Sequence, residues 1–366
     1  MKPAQENRAL TGLRGLAAVL VCVHHLVLHL GAPPSLAQGF PQGFQGPFKA
    51  FALRGYLMVD LFFVLSGFVM ALAYEGWFAG GLDAETYARF LWRRFARLWP
   101  LHAFLITLLL ALQVLDGHVS VWWRMVVANF AMVQAWGLSE TLNVPSWSLS
   151  TEWAAYMLFP ALAWLALRGP WGRTAGAAAL AMAALLLAAS LGAANPGGRR
   201  GPLDLYDNYS LLPLARCLAG FTLGLAARRA MHLPWLAGRL AHPGWAALPL
   251  AALLPGLALG LPDWLAYPLL VVLVAALWAG HAGLSRFLGR SVPHRLGVWS
   301  YALYLVHMPL IQLWEDAGRP APPLVAGGAL LAAALAAASV LHRFIERPAL
   351  QALRGLEPSR APVAVG

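Results

Sequence analysis

Arg14 and His25 stand eleven residues apart in the run LTGLRGLAAVLVCVHHLVLHL, residues 10–30. At 3.6 residues per turn that is about three turns, so on a helix the two share one face roughly 16 Å apart along the axis. One apolar segment thus offers a cation near its start and a proton acceptor deep inside, in line. Neutral imidazole accepts a proton near physiological pH. An ionisable group within a lipid-spanning helix marks a functional site by default, because hydrocarbon penalises it. His29 lies one turn beyond His25 on nearly that face, whereas His24 points about 100° away. The plainer reading of these histidines is polar bonding between packed helices.

Three further groups carry chemistry. Asp60 opens DLFFVLSGF, with Ser66 in the same run. A carboxylate that accepts a ring N–H decides which imidazole nitrogen is free, so Asp60 is one candidate to orient a histidine; a helix-end charge at the membrane surface is its alternative. Ser66-Gly67 offers a kink or a close approach of a ligand to the backbone, and no GxSxG elbow surrounds Ser66 to make it a nucleophile. In RFLWRRFARLWP, residues 89–100, Arg94 and Arg97 share a face while Arg93 points elsewhere. Paired guanidiniums suit bidentate phosphate recognition; membrane anchoring would explain the charge but not the pairing.

The third group is VPSWSLSTEWAAY, residues 144–156. Pro145 and Ser146 read as helix start and cap, and Glu152 lies about two turns in, too deep to be only a capping acid. Glu152 is the second candidate partner for His25, and the tryptophans resemble an interface belt or a sugar-stacking platform. Later, Tyr304 and His307 share a face, His307 reads as helix-to-helix glue, and Glu346 with its arginines reads as an interfacial salt-bridge network.

The elements that must position these groups are apolar and helical. The 366 residues are 60% hydrophobic and 11% charged, the composition of a membrane protein. Spanning runs fall near 9–30, 55–76, 98–115, 148–167, 174–193, 211–228, 244–260, 264–283, 297–315 and 324–344. The shorter run 121–136 contains Asn129 and Gln134 and reads as a re-entrant or interfacial segment. With ten spans, both termini are cytoplasmic and most Lys and Arg fall in inside loops; counting run 121–136 as an eleventh destroys that bias. The expectation is an all-α polytopic membrane protein: one unit over residues 1–350, then a short cytoplasmic tail over 351–366.

The first run reads as a retained helix, not a cleaved leader. Residues 31–50 read as an external flap or rim, 195–208 as an external polar loop, and the Ala-rich helices near 174–194 and 324–339 as scaffold. Cys22 and Cys217 give no disulfide framework and no metal-ligand spacing. The net charge of +11 is spread through loops between apolar runs, which points to topology and anionic lipid, not nucleic acid.

Together GLRGLAAVLVCVHH, DLFFVLSGF, RRFARLWP, WSLSTEW, YALYLVH and the final ERP resemble acyltransferase family 3, membrane enzymes that O-acylate extracytoplasmic carbohydrates and some small molecules. The resemblance covers essentially the whole chain, and its specificity lies in the joint order of the motifs. The family's arginine-to-histidine spacing maps onto Arg14 and His25, its paired arginines onto Arg94 and Arg97, and its tryptophan-to-glutamate motif onto Trp147 through Glu152. Many members add a periplasmic esterase-like domain; the sequence in hand stops soon after its last helix, so the expectation is that any second catalytic step comes from elsewhere, such as a separate periplasmic partner.

The resemblance implies an acyl-coenzyme A donor, acetyl first among them, docking from the cytoplasm of a bacterium against Arg14, Arg94 and Arg97 at its inner membrane. His25 would act as general base on an acceptor hydroxyl from the other side, or in a variant as an acyl-carrying nucleophile. Asp60 or Glu152 would fix its tautomer; Trp147, Ser148 and Ser150, with Ser66, would line the acceptor side. No tightly bound cofactor and no metal is implied. The reading from another class is a proton-coupled transporter or flippase of a polar lipid or sugar, using Arg14, His25, Glu152 and Arg216 as a relay. Such transporters often show internal repeats, and none is visible here.

Overall fold

The computed structural model describes residues 6–30, 47–78, 80–115, 122–194, 201–206, 209–319 and 321–357, and every regular element among them is helical. In order these are α1 (Arg8–Leu30), α2 (Pro47–Leu53), α3 (Leu57–Tyr74), α4 (Ala84–Leu115), α5 (Trp123–Phe130), α6 (Ser146–Met157), α7 (Phe159–Leu167) and α8 (Trp171–Ala194). There follow α9 (Leu212–Ala230), α10 (Pro234–Leu240), α11 (Gly244–Leu259), α12 (Asp263–Ala279), α13 (Leu284–Leu288), α14 (Ser291–Asp316) and α15 (Pro323–Leu341). A π-helical turn (His342–Glu346) then leads into α16 (Arg347–Gly355). Most of the expected flap, residues 31–46, lies outside the described residues, as do 195–200 and 207–208 of the polar loop.

Six helices among the described residues are long and apolar enough to cross a membrane: α1, α3, α4, α8, α14 and the continuous stretch Leu324–Gly355. α10 and α11, bent by 64° at their junction, make a seventh if taken as one span. The remaining expected spans form shorter or more charged helices. α6 and α7 meet at Leu158, α9 carries Arg216, Arg228 and Arg229, and α12 has 17 residues. The run 121–136 holds only the eight-residue α5, about 12 Å of helix against a hydrocarbon core of about 30 Å.

The turn after α5 is held by side chains. Asn129 donates to Met125 O and Glu140 O, Gln134 donates to Ser146 O, and Trp136 Nε1 donates to Ser150 O. Ser146 thus receives Gln134 and does not cap α6, which begins on Pro145 with no side-chain cap.

Glycines let the central helices meet backbone to backbone. A Cβ on Gly67 of α3 would lie 1.9 Å from Phe221 O, and one on Gly224 of α9 would lie 2.1 Å from Val64 O. The α1–α14 contact is equally close, since a Cβ on Gly297 would sit 1.9 Å from Thr11 O. α4 runs unbroken through Pro100, so Arg94 and Arg97 sit within a 32-residue helix and not at the mouth of a span starting near residue 98. α16 runs past the expected boundary at residue 350. Trp92 of α4 donates to Leu353 O at 2.7 Å, and Arg89 and Arg93 bind Glu357.

Candidate active site

Two cavities lie between α1, α3, α6 and α14, one above the other, and each of these helices passes from one to the other. Arg14 of α1, Ser66 of α3, Ser148 and Glu152 of α6, and Ser300 and Tyr301 of α14 line the first cavity, of about 140 Å³, together with Arg94 and Arg97 of α4. His25 and His29 of α1, Val59 of α3 with Tyr56 just before it, Trp147 of α6 and Met308 of α14 line the second, of about 210 Å³, with Asp204, Tyr206 and Arg216. α1 and α14 therefore run from the first cavity toward the second, and α3 and α6 run the other way.

The first cavity is a cationic chamber. Three guanidiniums face one lining carboxylate, Glu152, and Arg14 and Arg94 lie close enough to Arg97 to repel it. Glu152 is occupied locally: Ser66 donates to it at 2.5 Å and Tyr156 at 2.6 Å. Arg94 donates to Tyr74 Oη at 2.7 Å and lies over the Tyr74 ring, and its Nε has no hydrogen-bond partner. Arg97 pairs with Glu346 and lies over Tyr301. Arg93 points away to Glu357 and the Trp77 ring. Arg14 makes no hydrogen bond or ion pair to a described residue. Such a chamber, with donors to spare, is suited to phosphate oxygens.

In the second cavity, hydrogen bonding chooses the reactive nitrogen. His25 Nδ1 lies 3.0 Å from Val21 O and 3.1 Å from His307 Nε2, and His307 Nδ1 lies 3.2 Å from Leu303 O. Carbonyl oxygens only accept, so both rings carry their hydrogen on Nδ1. His307 Nε2 is then an acceptor, and His25 Nδ1–H is shared between it and Val21 O. This leaves the Nε2 lone pair of a neutral His25 free, with no hydrogen bond from any described residue. His24 donates from Nδ1 to Ala52 O at 2.8 Å and ties α1 to α2, and His29 pairs with Glu315.

Two expectations give way here. Neither Asp60 nor Glu152 bonds to His25. Asp60, fully buried, receives Arg216 on both oxygens, at 2.7 and 2.6 Å, and Tyr267 on Oδ1. A guanidinium from α9 in low dielectric outcompetes a neutral imidazole for that carboxylate. Ser150 lines neither cavity; its Oγ accepts Ala135 N at 3.1 Å and holds the turn after α5. Of the expected acceptor-side groups, Trp147 faces the cavity of His25, whereas Ser66 and Ser148 face the arginines.

The structure brings His307 and Tyr304 to the site, adds Tyr156, and makes Arg216 the partner of Asp60. The signal for the first two was present, a tyrosine and a histidine on one face of YALYLVH, but nothing in the sequence placed that face against His25. Arg216 is fully buried, and besides Asp60 it donates to Tyr56 O and Leu205 O and lies over the Trp147 ring. Among the described residues no group of three His, Cys, Asp or Glu is arranged to hold a metal ion.

Residues 7–343 match the family model described as an acyltransferase domain. The chain is 31% identical to acyltransferase MdmB of Streptomyces mycarofaciens, over 96% of this chain and 93% of that protein. A shorter region, 30% of the chain, is 34% identical to Protein 2 in picA locus of Rhizobium radiobacter, covering 47% of that protein. No solved structure matches.

Proposed function

The chain belongs to acyltransferase family 3, and from that premise we propose that this multi-pass membrane acyltransferase is an O-acyltransferase. It takes an acyl group, acetyl first among them, from cytoplasmic acyl-coenzyme A and gives it to a hydroxyl of an extracytoplasmic carbohydrate or glycolipid across a bacterial inner membrane. One observation carries the reading. A single helix, α1, puts Arg14 in a chamber with two more guanidiniums and His25, its Nε2 free, in the chamber beyond.

The donor's phosphates meet Arg14, Arg94 and Arg97, and its pantetheine arm runs past Ser66 and Glu152 toward the second cavity. There an acceptor hydroxyl gives its proton to His25 Nε2, and its oxygen attacks the thioester carbon. The C–O bond forms, the C–S bond breaks, and the coenzyme A thiolate takes the proton back. His307 and Val21 O hold the ring through Nδ1 during both transfers. Trp147, Tyr56 and Tyr206 offer aromatic faces beside the polar Asp204 and Arg216, a lining that supports a sugar-like acceptor.

The test is coenzyme A release from radiolabelled acetyl-coenzyme A by purified protein, with and without a crude envelope glycan extract. Extract-dependent release that falls by about 10²- to 10⁴-fold in His25→Ala is the expected outcome. Absence of both turnover and coenzyme A binding with every extract would overturn the donor assignment. Arg94→Ala with Arg97→Ala is expected to remove coenzyme A binding while His25→Ala retains it.

A further inference from the structure

Among the described residues, Tyr304 alone lines both cavities. Its ring stands edge-on to Phe62, 5.9 Å between centroids, on the arginine side, and 6.0 Å from His307 on the other. Beside it, Phe63 and Trp147 meet edge-to-face at 6.1 Å and close the same level between α3 and α6. We propose that Tyr304 is the septum between donor and acceptor chambers, the residue that directs the acyl group to the acceptor hydroxyl and keeps it from water.

The local chemistry gives this side chain a fixed base and a weak latch. Pro309 has no N–H, so the Leu305 carbonyl one turn earlier loses its helical donor, and Asn143 Nδ2 fills the place at 3.0 Å. The α14 backbone beside Tyr304 is thereby pinned to the segment preceding α6. The ring itself is latched at its tip by one hydrogen bond. Ser148 Oγ spends its hydrogen on Pro145 O, so Tyr304 Oη donates to Ser148 Oγ at 2.8 Å. A thioester arm arriving along Ser66 and Glu152 meets Ser148 and can displace that single bond.

The inference rests on the acyl-transfer reading for its chemical purpose and on the cavities alone for its geometry. His25 can activate water as readily as an alcohol. With the septum open and no acceptor bound, a water proton passes to His25 Nε2, the water oxygen attacks the thioester carbon, and the C–S bond breaks. The products are a free carboxylic acid and coenzyme A thiol. A closed Tyr304 keeps a docked thioester out of that polar chamber for as long as its latch to Ser148 holds.

The experiment pairs an activity-free readout with a product ratio. A cysteine at Leu28, in the His25 cavity, is offered a small anionic, membrane-impermeant thiol reagent from the membrane face that carries Arg89 and Arg93; native Cys22 and Cys217 are buried. Adding Tyr304→Ala is expected to raise the labelling rate tenfold or more. Tyr304→Phe, which keeps the ring and loses the latch, is expected to raise it about fivefold, the worth of one neutral hydrogen bond. In turnover, Tyr304→Ala shifts products from acylated acceptor toward free acid. Equal labelling in all three proteins overturns the septum, and should Tyr304→Ala fail to fold, an unchanged rate in Tyr304→Phe overturns it equally. Coenzyme A turnover by unmodified protein is scored separately, so failure of the donor assignment and failure of the septum are read from different measurements.

Discussion

At the scale of single residues, His25 has its tautomer set by a backbone carbonyl and a second imidazole. Val21 O alone suffices to keep the hydrogen on Nδ1, so His307→Ala is expected to slow transfer about fivefold, the worth of one hydrogen bond. His25→Ala removes the proposed base and is expected to cost about 10²- to 10⁴-fold; single-turnover rates at saturating donor compare the two. Asp60 calls for the opposite kind of test. If Asp60 oriented the base, Asp60→Asn would cost rate and leave folding intact. Bound to buried Arg216, it is expected to cost about 3–5 kcal/mol of stability, because an unpaired guanidinium is left in the core. Thermal unfolding in detergent distinguishes these outcomes. What the sequence made legible here was local spacing, which brings Arg14 into line with His25 and Arg94 with Arg97 on shared faces. It was silent on partners 156 residues apart, such as Arg216 and Asp60, and so left Asp60 as one of two candidate carboxylates for His25, beside a helix-end charge.

Elements position these residues through contacts that only glycine allows. α3 carries Asp60 and Ser66 across α9, which carries Arg216, and the crossing is tight at Gly67 and Gly224. Gly224→Ala is expected to cost about 1–3 kcal/mol, since the new methyl meets Val64 O and the helices must part. Gly176→Ala in α8 is the matched control. A Cβ there meets nothing within 4 Å, and the substitution is expected to stabilise by up to about 1 kcal/mol through helix propensity. Unfolding midpoints that moved together for the two variants would contradict the close-crossing account. The helical class and the apolar runs were readable from composition and periodicity. Element ends were harder, and α4 shows why. Pro100 resembles a helix boundary, yet a membrane helix tolerates a proline when neighbours satisfy the freed backbone groups, so the helix runs through.

On the scale of the whole molecule, the site's two chambers are ordered by charge. Glu6 just before α1 bonds His294 near the start of α14, Arg97 of α4 binds Glu346, and Arg89 and Arg93 bind Glu357. The first and last described segments therefore share one end of the bundle with the arginine chamber. Arg8, Arg14, Arg343, Arg347 and Arg354 belong to those two segments, and the positive-inside rule is the ground on which we propose that this end faces the cytoplasm. Coenzyme A is polyanionic and does not cross a bilayer, so if it carries the donor acyl group as we propose, orientation decides which vesicles turn it over. Inside-out membrane vesicles are expected to release coenzyme A from externally added acetyl-coenzyme A. Right-side-out vesicles are expected to release it only after permeabilisation. Turnover confined to right-side-out vesicles would invert the topology and place the donor chamber on the outer face. Equal turnover in sealed vesicles of both kinds would mean that the donor reaches the thioester site from either side, against a chamber order in which Arg14 and His25 lie about three turns apart on one helix.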